Sequence, residues 1–367
     1  MRIITVTTYN VYNYGAALQA YALQKYLISL GHEAWLLNYQ PDYLRRRYDY
    51  RWVNPESSFN KYSFTRYLYR VAKYLQRQFT LKRKTAFDSF IAEELKQTAL
   101  YTCHSEIYTN FPKADAYIVG SDQVWNCFYE AGRDSVFYLD FVKDAKKASY
   151  AASFSYMNIG ENFKQKIRKW LSDFDAISVR EYQGVNILDE LGLKSEWVLD
   201  PVFLLSKEEW YGKIKSVPST ERYLLIYDFE GNSNLKYFAK RYAKENGLMI
   251  YSINDTYPRL YADKNFCDEG PWGFLSLLMN CSAFISNSFH GTAFSILFHK
   301  DFYVFGRQRH AVNSRMESLL KMFNLEERFV YNNNYFANHN KVEINWCEVD
   351  KIKESFLRSS KLFLENI

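Results

Sequence analysis

Two α/β domains facing each other across a cleft, each built on a doubly wound parallel sheet, are what this sequence predicts. Short apolar runs alternate with helical-period stretches from Ile3 to Phe305, the order of successive βαβ units. The runs end in polar or charged residues, as at Arg180-Glu181, Asp200-Pro201 and Ser286-Asn287-Ser288, and ligands of such sheets bind outside the carboxyl ends of their strands. The length of 367 residues exceeds what one hydrophobic core usually serves.

Residues 3–7 read as the first strand. A polar loop follows, and a helix begins near Ala16 and stops at Gly31, the residue type that ends helices in the left-handed conformation. A strand at 34–38 completes a βαβ start. The loop between lacks G-x-G-x-x-G, so no nicotinamide fingerprint is present; its Asn13 and Tyr14, with Gln19 in the helix, suit a hydroxyl-rich ligand. Further strands at 116–119, 148–155, 176–179 and 197–199 extend the first domain to about residue 205. Residues 206–221 read as a linker. A second unit spans 222–330, with strands at 223–227, 249–253, 283–285 and 302–305. The tail, 331–367, carries a helix at 349–366 expected to pack back across the domains. Two Rossmann-like domains in this relation form a GT-B-like architecture.

Residues 43–84 interrupt the pattern. Twelve basic residues stand there against Asp49 and Glu56, interleaved with aromatics. From Phe64 to Leu81 the spacing suits an amphipathic helix with basic flanks, the composition of an interfacial membrane binder. Such interleaving also suits single-stranded nucleic acid, but no recognition motif accompanies it, and nucleic acid is not expected as a partner.

Composition narrows the function classes. Aromatic residues reach 19%, a surplus that serves cores and sugar-binding or membrane-facing surfaces. The net charge of +6 suits anionic ligands without implying nucleic acid. Five scattered cysteines without C-x-x-C spacing predict neither a zinc site nor a disulfide framework, and read as reduced thiols of a cytoplasmic protein. The chain opens on a strand rather than an apolar leader, and no apolar run reaches about 18 residues, so neither export by that route nor membrane spanning is expected.

The stretch 282–298 is the centre of the expected site. A strand ends at Ser286, a polar turn carries Asn287, Ser288, His290 and Gly291, and a helix follows. A helix N-terminus favours anions, and Gly291 is expected to let a ligand approach the backbone. Arg180, Arg307, Arg309 and Arg315 are expected around the same cleft, where guanidiniums bind carboxylate and phosphate bidentately, with His290 able to exchange a proton near neutral pH. The run Asp122-Gln123-Val124-Trp125-Asn126 offers Asp122, Gln123, Trp125 and Asn126 to an acceptor. No metal cluster, nucleophile elbow or Walker sequence is present.

Five segments together resemble the polysaccharide pyruvyl transferase family: residues 13–19, 120–126, 178–181, 199–201 and 286–292, in order over roughly residues 1–330. The resemblance implies a GT-B-like enzyme that takes phosphoenolpyruvate as donor and builds a pyruvate ketal on two hydroxyls of a sugar, releasing phosphate. It implies His290 as general acid and Arg180 as a donor-binding arginine. Many members carry Arg two residues before that histidine, where this chain has Ser288; Arg307, Arg309 or Arg315 is then expected to hold the anion. The scheme requires no metal or nucleotide cofactor. It also implies surface-glycan acceptors carried on polyprenyl diphosphate, which residues 43–84 would meet at the inner leaflet of the membrane. Two alternatives remain open at this point: a GT-B glycosyltransferase with a nucleotide-sugar donor, and a non-catalytic glycan- or lipid-binding protein of the same fold.

Overall fold

A computed structural model describes residues 1–46, 49–156, 159–214, 221–254, 257–307, 313–331 and 343–367. The first sheet contains β1 (Arg2–Val6), β2 (Glu33–Leu36), β3 (Ala116–Val119), β4 (Lys146–Ala152), β5 (Ala176–Val179) and β6 (Glu196–Trp197), all parallel, in the order β2-β1-β3-β4-β5-β6. The second contains β7 (Tyr223–Tyr227), β8 (Met249–Ile253), β9 (Lys264–Phe266), β10 (Ala283–Ser286), β11 (Asp301–Phe305) and β12 (Phe329–Val330), also parallel, in the order β12-β11-β10-β7-β8-β9. Parallel pairing requires crossovers, and helices of the intervening chain cover both faces. That is why β7, Tyr-Leu-Leu-Ile-Tyr, is buried at every position.

In each sheet the strand order reverses beside the first strand of the domain, β1 against β3 and β7 against β10. A crevice opens at such a switch point. Thr8 and Asp122 follow β1 and β3, and Phe229 follows β7; all three line a single cavity of about 720 Å³. The sheets thus present their switch points to one shared cleft.

The helices of the first domain are α1 (Tyr14–Ser29), α2 (Asp42–Arg45), α3 (Ser63–Glu94), α4 (His104–Asn110), α5 (Glu161–Leu171) and α6 (Tyr182–Glu190). Those that follow are α7 (Lys207–Lys213), α8 (Ser233–Asn246), α9 (Pro271–Asn280), α10 (Phe289–Leu297), α11 (Ser314–Met322) and α12 (Trp346–Glu365). The expected linker holds α7, closed by a capping box at Ser206 and Glu209 and anchored by buried Trp210. β9 and β12 were not expected, being only three and two residues long.

The domains share a core. Tyr14 of α1 stacks on Phe274 of α9 at 4.9 Å between ring centroids, and Tyr21 meets Trp272 at 5.2 Å. α12 packs back across, with Val349 in the core that includes the second sheet and Phe363 and Leu364 against β1 and α1. Among the described residues, no helix is long and apolar enough to cross a membrane.

Candidate active site

Asp200 lies at the centre of the site. It follows β6, its Oδ1 caps the next turn by accepting from Val202 N at 3.1 Å, and its side chain is fully buried. Its Oδ2 accepts from Ser121 Oγ at 2.8 Å and from Arg180 Nη1 at 2.8 Å, and lies 3.4 Å from His290 Nε2. Burial alone would raise this carboxyl, but the charges and hydrogen bonds of His290 and Arg180 outweigh it and hold Asp200 below the usual carboxylate range. One carboxylate thus ties residues after β3, β5 and β6 to the first turn of α10.

His290 is buried on α10, across the domain boundary from its partners. Gly15 makes room for it: a Cβ on Gly15 would lie 2.0 Å from His290 Nδ1. Asp200 was not expected to be part of the site, and Gly15, expected as a close-approach glycine of the loop before α1, gives its space to His290 rather than to a ligand. Both stand in the motif segments, Asp200 directly after a strand, which was the signal available for it.

Arg180, after β5, uses only Nη1 in hydrogen bonding to Asp200 and Ser121; Nε and Nη2 are buried without a hydrogen-bond partner among the described residues. Nη2 lies 4.0 Å from Asp122 Oδ1. Arg315, on α11, is also buried, with Nε unpartnered. With the Gln123 amide oxygen turned toward it, Arg315 Nη1 and Nη2 donate to that oxygen at 2.8 and 3.2 Å. Burial, then the charge of Arg180, pushes Arg315 down to about 10. Both guanidiniums face the Phe289 ring, at 4.1 Å for Arg180 and 5.8 Å for Arg315. Two buried guanidiniums with donors unused, set among Asp200, Asp122 and Glu181, offer hydrogen bonds to an anion.

Neither arginine lines the cavity, which reaches the pair through Asp122, 4.0 Å from Arg180, and Gln123, the partner of Arg315. Asp122 and Gln123 form part of its wall, with Asn13 and Arg307 beside them. Asp122 holds φ at +89°, a strained conformation for a side chain other than glycine, and its Oδ2 accepts from Thr8 Oγ1 at 3.4 Å. Arg307 donates to Glu230 Oε1 at 3.0 Å and lies over Phe229. Glu181, not expected at the site, accepts from Phe154 N at 2.8 Å and Ser155 N at 2.9 Å and so shapes the loop after β4.

Other expected site residues have different places. Ser288 is the N-cap of α10, its Oγ accepting from Gly291 N at 3.2 Å. Gly291 faces inward, where a Cβ would lie 2.6 Å from the Phe284 ring; it permits packing rather than ligand approach. Asn287 donates to Asp228 Oδ1 and accepts from Phe229 N, both at 3.1 Å. Tyr14 donates to Glu269 O at 3.1 Å within the interdomain core. Gln19 is buried, donating to Thr7 Oγ1 and Ala16 O. Trp125 is fully buried against Tyr138, its Nε1 donating to Phe137 O, and Asn126 is buried, its Oδ1 accepting from Phe128 N. Arg309 lies outside the described residues.

Among solved structures, the chain is similar to S. aureus MnaA in a complex with UDP, at 12% identity and a TM-score of 0.55, covering 100% of this chain and 97% of that one. Lesser likenesses are to UDP-N-acetylglucosamine 2-epimerase from Rickettsia bellii (12% identity, TM-score 0.45, 100% of this chain and 98% of that) and to the spinosyn rhamnosyltransferase SpnG (11%, 0.46, 100% and 99%). At such identities the first likeness speaks to fold alone. No curated protein matches the sequence. The family match is of another kind: the sequence model described as polysaccharide pyruvyl transferase aligns with residues 13–309. That span runs from the cap of α1 past His290, and the chain belongs to the polysaccharide pyruvyl transferase family.

Proposed function

We propose that the protein transfers the pyruvyl unit of phosphoenolpyruvate to two hydroxyls of a sugar, forming a ketal on a surface polysaccharide or its lipid-linked precursor and releasing phosphate. The cytoplasm supplies the donor. The observation that carries this reading is the buried Arg180–Arg315 pair, with donors unused and Arg180 beside His290. Phosphoenolpyruvate brings a carboxylate and a phosphate, the two groups guanidiniums hold best.

The roles follow from chemistry. His290 delivers a proton to the donor's methylene carbon, leaving C2 electrophilic. One sugar hydroxyl attacks C2, phosphate departs with the C2–O electrons, and the second hydroxyl attacks to close the ketal. The hydroxyl protons leave to base and phosphate. Arg180 and Arg315 hold the donor through the charge changes. Asp200 is a positioning residue, lying 3.4 Å from His290 Nε2 and fixing Arg180 by a 2.8 Å hydrogen bond. Asn13, Asp122, Gln123 and Arg307 line the cavity where the acceptor is placed, against which Asp122 can accept a sugar hydroxyl proton. Arg315 takes the place of the arginine that many family members carry where this chain has Ser288.

A nucleotide-sugar donor would need its diphosphate at the start of α10, but the Gly291 N–H is already taken by Ser288 and its Cα faces Phe284. That supports the pyruvyl reading. The test is a thermal-shift titration: phosphoenolpyruvate stabilises the protein and nucleotide sugars do not. His290→Ala retains the phosphoenolpyruvate shift and loses phosphate release by at least a hundredfold, the usual scale for a general acid. Near-normal turnover in that variant removes the acid role, and stabilisation by nucleotide sugars alone removes the donor assignment.

A further inference from the structure

α3 carries its charge on one face and with one sign. No acid occurs between Glu56 and Asp88. Lys73, Arg77 and Lys84 line the cleft cavity from this helix, with Gln76 and Thr80 between them. Arg66 stands seven residues before Lys73 and Arg70 seven before Arg77, so helical spacing continues the same face outward beyond the cavity. The apolar residues Phe64, Leu68, Val71 and Leu75 fall on the opposite face. From Arg66 to Lys84 the row of cations is about 27 Å long at the rise of a helix. Lys84 is balanced by Asp88. Lys73 Nζ donates to the backbone carbonyls of Asp49 and Trp52, both at 3.0 Å, and the Arg77 guanidinium lies 5.7 Å from the centroid of the Tyr50 ring. Neither group, nor Arg66 or Arg70, forms an ion pair among the described residues. Burial lowers Lys73 from its ordinary value, and the charge of Asp49 offsets this only in part. Like charges three and four residues apart destabilise a helix, so Arg66–Arg70, Arg70–Lys73 and Lys73–Arg77 are each unfavourable until an anion lies along them. Tyr50, itself in the cavity wall, and Trp52, 5.8 Å from Lys73, set aromatic rings beside the same charges.

We infer that this row is a track for a sugar chain that carries anionic groups, carboxylates or phosphates, at intervals, and that the acceptor is such an acidic glycan. Its reacting unit occupies the cavity and its neighbouring units lie along α3 toward Arg66. Guanidiniums hold carboxylate and phosphate bidentately, and aromatic rings supply flat apolar surface between the charges. A sugar chain fits better than another polyanion because the row is continuous with the wall that holds Asn13, Asp122 and Gln123. A chain fits better than a single charged unit because the row is longer than one anionic group can span. A bilayer does not fit, since the cations and the apolar residues of α3 face opposite ways and an interfacial helix needs both at one surface. The acceptor class rests on the pyruvyl transfer proposed above; the binding of an acidic chain does not. Arg46 is not part of the row: it pairs with Glu130 and lies over Trp52, and Arg47 lies outside the described residues.

The test measures binding of fluorescently labelled glycans to the full chain at low salt. Oligogalacturonate supplies carboxylates and phosphomannan supplies phosphates; oligogalactan and mannan of matched length are their neutral counterparts. Wild type is expected to bind at least one acidic chain tenfold or more tightly than its neutral counterpart, with the margin shrinking as salt screens the charges. Which acidic chain shows the gain identifies the anionic group. Affinity is expected to rise with chain length until the chain spans the row. Arg66→Gln/Arg70→Gln, at positions beyond the cavity, is expected to lose at least fivefold in affinity for the long acidic chain. It should melt no lower than wild type, because two like-charge pairs are relieved. Equal binding of acidic and neutral chains, short chains bound as tightly as long ones, or a variant that binds the acidic chain as wild type does overturns the inference. So does single-stranded DNA or a phosphatidylglycerol-containing vesicle bound as tightly as the acidic glycans, since the row would then serve a nucleic acid or a membrane. The two readings fail separately: protein that binds the acidic chain but is not stabilised by phosphoenolpyruvate overturns the donor assignment, and protein stabilised by phosphoenolpyruvate that is indifferent to charge on the chain overturns this one.

Discussion

A methyl group on Gly15 would lie 2.0 Å from His290 Nδ1 and 2.8 Å from its Cβ, closer than atoms approach, so the imidazole must move away from Asp200. Gly15→Ala is therefore expected to fold, to retain phosphoenolpyruvate binding through Arg180 and Arg315, and to lose about a hundredfold in kcat, the scale of a 1 Å misplacement; steady-state phosphate release checks it. Arg315 carries the opposite trade. Its ordinary value lies above the folded value of about 10, so its charged form is penalised by burial at neutral pH, and the penalty eases only as pH rises through about 10. Arg315→Met is expected to melt no lower than wild type without ligand, while donor affinity falls ten- to a hundredfold, the worth of a charged hydrogen bond. Asp200 has the reverse sign. Its folded value is depressed, so the stability it contributes is present above the ordinary carboxyl range near pH 4 and lost as pH falls below it. Asp200→Asn is expected to lose about 3–5 kcal/mol at neutral pH, by stranding a buried guanidinium, and to show a flatter melting-temperature profile than wild type from pH 5 to 3. Residue types marked these places well, yet the same types serve turns and cores: Asn13 and Gln123 reach the cavity, whereas Tyr14, Gln19 and Trp125 are buried. What separates them is a partner far away in sequence, Phe274 for Tyr14 or Asp200 for His290, and local pattern does not carry such pairings.

At the scale of elements, α10 shows why a motif can be legible and its letters misassigned. Strand, polar turn and helix were all apparent in the run from Ala283 to Phe298, because the apolar period changes at Ser286. The roles inside the turn were not, since a serine at a helix start can bind a ligand or cap the helix. Here it caps. Ser288→Ala is then expected to cost about 1 kcal/mol of stability with an unchanged apparent affinity for phosphoenolpyruvate, whereas a ligand role would lower affinity without that cost; urea unfolding and donor titration together decide. α3 illustrates the other limit. Its amphipathic spacing was clear, but the helix continues through Arg83 to Glu94, and only the folded chain reveals that its polar side walls the cleft. β9 and β12, at three and two residues, are too short to carry a period of their own and form because a neighbouring strand offers its edge.

The active site joins elements of both domains, His290 from one and Arg180 and Asp200 from the other, so the geometry of a 3.4 Å contact depends on how the whole molecule is braced. Two braces act at different distances from the cleft. Close by, Tyr14 stacks on Phe274 and closes over Gly15's helix. On the far side, α12 starts with Trp346 stacked on His299 and Val349 in the second domain's core, and ends with Phe363, Leu364 and Ile367 against β1 and α1. Ser360 adds a hydrogen bond at the strand end that leads to Asp200, its Oγ accepting from Leu199 N at 3.0 Å. The backward packing of this helix was expected from its apolar spacing, but its link to Asp200 was not, because 161 residues separate the two partners. Phe363→Ala/Leu364→Ala removes the first-domain anchor while leaving both sheets and the first half of α12 intact. Each large-to-small change in a core costs about 2–5 kcal/mol, and the loss falls on the coupling between domains rather than on either alone. Calorimetry is expected to resolve the single melting transition of wild type into two, with the lower assigned to the first domain. Phosphoenolpyruvate, which contacts both halves of the site in the proposed reaction, should draw the two transitions together again; if it raises only one of them, the donor is held by one domain and the Arg180–His290 pairing is not its binding site.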